Sequence, residues 1–169
     1  MGVVCHIKGI MKLLLITLLF LCSNFLYGQR NLNYEQLAAE YFFTEIFHQE
    51  FGTIKTLGYS GRTDSLRHSY SIGIMFKCDQ WSQEEKEQFM GDFPVEVKKV
   101  DLGQYGYRIK NAKAKRHKLV INILPSFNVN SKVYTLISVY KRLHFVEYFL
   151  FESNLNGDII TYCKRGQVI

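Results

Sequence analysis

The chain has 169 residues, which suits a single domain, and 47% of them are hydrophobic, enough to bury a core of ordinary size. This composition excludes a largely disordered chain. Lysine and arginine number 21 against 15 aspartate and glutamate residues, so the chain is mildly basic. Such a balance is compatible with anionic partners but is also common in ordinary soluble proteins. Because no stretch carries a catalytic or cofactor motif, the sequence predicts fold and compartment better than activity.

The amino terminus has the pattern of a secretory signal peptide. Lysines precede an apolar run over residues 13–22, and a more polar stretch leads to Gly28, a small residue suited to cleavage. The sequence therefore predicts a cleaved leader over residues 1–28, with Met11 as an alternative start, and one domain over residues 29–169. An uncleaved anchor is the alternative, but the apolar run is shorter than the ~20 residues of a spanning helix.

Cleavage changes the charge and suggests the compartment. The leader removes two of the 21 cations and none of the 15 acids, which leaves 19 − 15, or +4. We expect a periplasmic or extracellular protein that does not span the membrane. Nucleic acid is not an expected partner for such a protein.

Two of the four cysteines, Cys78 and Cys163, remain after cleavage. Export makes a disulfide between them chemically allowed. Two buried free thiols are equally compatible with the sequence, because the separation of their Cα atoms decides whether they can bond.

Helix signals follow the leader. Asn33 can cap a helix, and Gly52 is placed to end it. Apolar residues recur between them at helical spacing: Tyr34, Leu37, Ala38, Tyr41, Phe42 and Ile46, with Phe43 and Phe47 widening the stripe. The pattern predicts one long amphipathic helix that packs on a sheet.

Strand signals dominate the rest of the chain. Residues 70–78 alternate as in a strand with one covered side. Three further runs, 133–140, 144–152 and 158–163, are rich in β-branched and aromatic residues and are joined by short turns, of which 154–157 is the clearest. These runs predict an antiparallel meander.

A short second helix is predicted near residues 83–90, since Ser82 and Glu85 form a capping-box pair before it. Trp81 directly precedes this helix. We interpret Trp81 as closing the edge of the core, with stacking on a ligand as the alternative.

A basic run over residues 110–118 separates two apolar stretches, 105–110 and 119–124. The pattern predicts a hairpin with a charged tip, or a sheet edge. The charges either defend that edge against pairing or dock an anionic surface.

Together these elements predict an α+β domain in which one long N-terminal helix packs on a curved, mainly antiparallel sheet. The order of elements is similar to that of the cystatin-like and NTF2-like rolls, by architecture and not by any sequence motif. A small barrel with the helix across one end is the structural alternative.

Candidate ligand-binding residues lie on the meander. Tyr134 and Tyr140 share a face by even spacing, whereas His144 and Glu147 point to opposite faces. The tyrosines with either of the other two would line an apolar cup; structural cross-strand pairing explains the same residues. Trp81 completes the set. No histidine or cysteine stands at metal-site spacing, so we expect neither metal nor cofactor.

These features favour a secreted or periplasmic binding module without catalytic activity, which holds a protein, glycan or lipid through its aromatic sheet face or a sheet edge. The alternative is a small cavity enzyme, an isomerase or hydrolase, in which a roll encloses an acid or base.

Overall fold

The computed structural model of the protein describes residues 32–63, 78, 81–91, 97–111, 119–141 and 145–168. Asn33–Ile169 forms one unit, an α+β fold in which a helical segment packs on a mixed sheet of seven strands. Several predictions lie outside the described residues: the signal peptide, the strand 70–78 apart from Cys78, most of the basic run, and His144.

The helical segment is not one regular α-helix, so the prediction of a single long helix is wrong. α1 (Tyr34–Tyr41) continues into five residues of π-helix (Phe42–Ile46) and then into α2 (Phe47–Phe51). The predicted ends are confirmed: the Asn33 side chain accepts from the Gln36 amide at 3.0 Å, and Gly52 closes α2 with φ 62°.

The π-helix keeps one stripe of the segment against the sheet. Buried side chains recur there as adjacent pairs, four residues apart: Ala38 and Ala39, Phe42 and Phe43, Ile46 and Phe47. In an α-helix each four-residue step turns the buried face by about 40°. The wider i→i+5 turn of a π-helix turns it back. The four-residue spacing of these buried pairs therefore fits the irregular helix.

The sheet is built in the strand order β2-β1-β3-β5-β6-β7, with β4 paired to β5. Its strands are β1 (Thr56–Gly58), β2 (Arg108–Lys110), β3 (Leu119–Ile123), β4 (Phe127–Val129), β5 (Lys132–Lys141), β6 (Phe145–Asn154) and β7 (Ile159–Val168). β1 pairs in parallel with β2 and β3, and every other pairing is antiparallel. The predicted meander of β5, β6 and β7 is confirmed. Among the described strands no pairing joins β2 to β7, as the barrel alternative would require.

The predicted hairpin between β2 and β3 is wrong, because β1 lies between the two strands. The backbone of β1 is paired with β2 on one side and with β3 on the other, and the Leu57 side chain is buried under the helical segment. Among the described strands β2 lies at the end of the order, as the edge alternative predicts.

Each face of the sheet carries an apolar cluster. On β5 and β6 the odd-numbered residues, such as Ile137 and Phe149, pack under the helical segment on what we call the helix face. Even-numbered residues, such as Leu136 and Leu150, form a second cluster on the opposite face. The alternation of side chains along β5 and β6 thus contributes residues to both apolar clusters.

The predicted short helix is confirmed as α3 (Gln83–Gly91). Its capping box is reciprocal: the Ser82 amide donates to Glu85 Oε2 at 2.8 Å, and the Glu85 amide donates to Ser82 Oγ at 3.1 Å. Among the described residues, no helix combines the length and apolar character required to cross a bilayer.

Candidate functional site

Among the predicted ligand-binding residues that the structure describes, Glu147 does not lie with the two tyrosines; His144 lies outside the described residues. Tyr134 and Tyr140 both pack in or against the cluster on the opposite face, as their even spacing predicts. Glu147 lies on the helix face, on the other side of the sheet. The sequence therefore predicted which side chains share a face of the sheet, but the described tyrosines and Glu147 do not form one cup.

Trp81 is packed as a core residue. Its side chain is 8% exposed, and its ring centroid lies 4.7 Å from that of Tyr134 and 6.3 Å from that of Phe127. Tyr134 in turn stacks on Phe127 at 5.5 Å. The indole ring thus contacts the protein's own aromatic side chains.

Glu147 is the centre of a charge network that ties α2 to three strands. Its Oε2 lies 2.9 Å from Lys141 Nζ, and its Oε1 lies 3.6 Å from Lys164 Nζ. Lys164 also bonds Glu50, the penultimate residue of α2. Burial lowers the pKa of Lys164, but the Glu50 and Glu147 carboxylates outweigh it and raise that pKa overall. Lys164 therefore stays charged. Because its charges pair with one another, the network is typical of a structural role.

A second carboxylate, Glu35, is fully buried at the start of α1. Its Oε1 accepts from the Ser126 amide at 2.7 Å, and its Oε2 lies 3.5 Å from Lys98 Nζ. The buried hydroxyl of Tyr59 has no hydrogen-bond partner among the described residues. Burial, and then the charge of Glu35, raise the pKa of Tyr59. No sequence signal marked Glu35, because an acid in a first helical turn is ordinary.

We expect Glu35→Ala to lower the free energy of unfolding by about 3 kcal/mol, because it leaves the Ser126 amide unpaired and Lys98 without its carboxylate. Glu35→Gln keeps an acceptor for Ser126 and is expected to cost roughly half as much. Urea unfolding measures both. Glu40→Ala, on the exposed side of α1, is the control; equal losses for Glu35→Ala and Glu40→Ala would refute the role of Glu35.

The structure joins Cys78 to Cys163 in a disulfide with the Cα atoms 5.6 Å apart. Beside it lies a cleft of about 160 Å³. The cleft is lined by Cys78, Lys132, Tyr134, Leu150, Glu152, Thr161, Tyr162 and Cys163. Lys132 Nζ lies 2.9 Å from Glu152 Oε1, and the Tyr134 hydroxyl donates to Glu152 Oε2 at 3.4 Å. The cleft can hold a small polar group, but its opposite charges already satisfy each other.

β7 presents the longest edge of the described sheet. It has ten residues, and its outer side has no partner among the described strands. Three apolar side chains are exposed along it: Ile160 at 56%, Tyr162 at 41% and Val168 at 74%. An uncovered strand edge offers a row of backbone donors and acceptors to another extended chain. The strand itself was predicted, but its edge position was not.

Among the described residues, no group of three or more histidine, cysteine, aspartate or glutamate side chains is placed to hold a metal ion. Comparison of the chain with protein-family models, with curated proteins and with solved structures found no match.

Proposed function

We propose that the protein is an exported, non-catalytic binding module that holds an extended, acidic segment of a partner protein along the edge of β7. The observation that carries this proposal is the ten-residue edge itself, with apolar side chains exposed along it. Strand addition of this kind takes affinity from main-chain hydrogen bonds and specificity from alternate side chains.

Export is supported by two independent features. The first 28 residues have the order of a signal peptide. The Cys78–Cys163 disulfide is of the kind that persists in oxidising compartments such as the periplasm or the extracellular space.

The charge of β7 favours an acidic partner segment. The strand carries Lys164 and Arg165 at its centre and no carboxylate over its ten residues. Antiparallel pairing of β7 with a second copy of itself would bring these cations close to their counterparts, which is unfavourable. A strand that carries glutamate or aspartate at alternate positions avoids this repulsion.

The curved roll is the structural part of this proposal, and the cavity enzyme is the alternative to it. We propose that the sheet curves around the helical segment, as in the cystatin-like and NTF2-like rolls, because the helix-face cluster spans β1, β3, β5 and β6. The enzyme alternative needs a sealed cavity with an acid or base inside. The described cleft supports the enzyme less than the binding module, because Lys132, which lines the cleft, is 46% exposed.

Hydrogen exchange with a synthetic peptide tests the proposal. The peptide is as long as β7 and alternates valine with glutamate; the control peptide carries lysine in place of glutamate. We expect the outward amides of β7 to exchange rapidly in the free protein and to become protected by the acidic peptide alone.

Substitutions in the edge provide the second readout. Ile160→Glu with Val168→Glu is expected to weaken peptide binding about tenfold or more, since it places carboxylates opposite carboxylates. Leu155→Glu, which lies in the turn before β7 and is 55% exposed, is the matched control. Slow exchange of the β7 amides in the free protein, or equal binding of both peptides, would overturn the proposal.

A further inference from the structure

Five exposed cations from two chain segments lie near the end of the described strand order that is formed by β1 and β2. We call them the basic edge: Lys55, Arg62, Lys99, Arg108 and Lys110. We propose that the basic edge docks the protein on an anionic phospholipid bilayer. This inference is separate from partner binding at β7, because it uses the other end of the sheet.

Lys55, directly before β1, lies beside the cations of β2. The Lys55 carbonyl accepts from the Arg108 amide at 2.9 Å, which places Lys55 beside β2. Arg108 and Lys110 are two residues apart on one strand, so they project from one face with about 7 Å between them. Their partners on β1, Thr56 and Gly58, are small and leave the charges open to solvent.

Arg62 and Lys99 are directly opposed across an antiparallel bridge. Like charges in directly opposed positions destabilise a sheet. Neither side chain has an ion-pair partner in the described part of the chain. The protein thus retains a repulsion that a bound anion would relieve, which is the second observation that points to an anionic ligand.

Short stretches of backbone connect the two groups of cations. The Tyr59 amide donates to the Lys110 carbonyl at 2.8 Å. Arg62 is three residues further along, so its Cα lies within about 11 Å of that of Tyr59. In the sequence of segments 53–63 and 97–111 the sole carboxylate is Asp101, whose Oδ1 accepts from the Gly103 amide. These two segments therefore carry more cations than carboxylates.

A bilayer fits this edge better than an acidic strand does. β2 has three residues, too few to template a partner strand, and the cations form an array rather than the wall of a pocket. An array of phosphates at a membrane surface matches such a spread of charge. Val97, two residues before Lys99 and 49% exposed, supplies an apolar group for the headgroup region.

Co-sedimentation with vesicles tests the proposal. Vesicles of equal parts phosphatidylglycerol and phosphatidylcholine are expected to bind the protein, and phosphatidylcholine vesicles are not. Binding is expected to disappear in about 1 M salt, where the Debye length is about 3 Å. Arg62→Gln with Lys99→Gln should lower partitioning about 20-fold, since each cation near an anionic membrane contributes roughly fivefold.

Stability separates docking from a structural role. Because Arg62→Gln with Lys99→Gln removes a repulsion, its urea midpoint is expected to be unchanged or higher than that of the original protein. The control variant, Lys86→Gln with Arg165→Gln, removes the same number of cations at other places in the fold. Its partitioning should fall less than roughly threefold, because salt screens charges that lie away from the membrane. Equal loss in this control, a lower midpoint in the basic-edge variant, or binding of soluble polyglutamate in place of vesicles would overturn the proposal.

Discussion

Phe42→Ala is expected to lower the free energy of unfolding by about 4 kcal/mol, within the range for a fully buried phenylalanine. Phe42 is 0% exposed and belongs to the π-helix. Its ring centroid lies between 4.9 and 6.3 Å from those of five other aromatic residues: Phe43, Phe47, Phe51, Phe149 and Phe151. Truncation therefore opens a cavity where the helical segment meets β6, and the rigid sheet cannot close it.

Urea unfolding measures this loss, with fluorescence of Trp81, the chain's one tryptophan, as the probe. Phe145→Ala is the matched control, because Phe145 is only partly buried and covers Gly166 at the edge of the sheet. We expect about 1 kcal/mol for the control. A loss for Phe42→Ala no larger than that of the control would show that the helical segment is not anchored by its aromatic stripe.

Removing the disulfide by Cys78→Ala with Cys163→Ala is expected to cost about 4 kcal/mol. The bond closes a sequence separation of 85 residues, and the loss follows from the greater freedom of the unfolded chain. Cys78 lies three residues before Trp81, so the indole should also become more exposed, with its emission shifted to longer wavelength. Thermal unfolding and emission spectra are the measurements.

A reducing agent provides the control for this second prediction. It should lower the stability of the original protein by a similar amount and leave the double variant unchanged. If the oxidised protein and the double variant unfold at the same temperature, the bond does not stabilise the fold.

The first prediction concerns the contact between the helical segment and β6, and the second concerns the disulfide that joins Cys78 to β7, the proposed binding edge. β7 is held from one side by the disulfide at Cys163 and from the other by the ion pairs of Lys164 with Glu50 and Glu147. Its inner edge is paired with β6 over nearly its whole length. A partner strand would therefore meet a rigid template, so little ordering entropy is lost on binding.

The sequence by itself determined the elements whose signals are local. The turn before β7 is an example: Asn154 Oδ1 accepts from the amides of Asn156 and Asp158, and Gly157 takes φ 93°. A short polar side chain and a residue without a Cβ encode this geometry within five positions. Helix caps and strand alternation are equally short-range, which is why the meander, α3 and the shared face of Tyr134 and Tyr140 were predicted correctly.

Only the tertiary structure decided which distant segments meet. Glu35 and Ser126 are separated by 91 residues, and β1 reaches β3 through the pairing of Gly58 with Val120. No periodicity in either segment specifies such a partner. The π-helix was missed because apolar residues four positions apart also fit an ordinary α-helix, and the contact of Phe42 with Phe149 of β6 exists only in the folded chain. The exposed edge of β7 likewise exists only once the strands are ordered, because exposure is a property of the assembled sheet. The same holds for the like charges of Arg62 and Lys99, which face each other across a bridge.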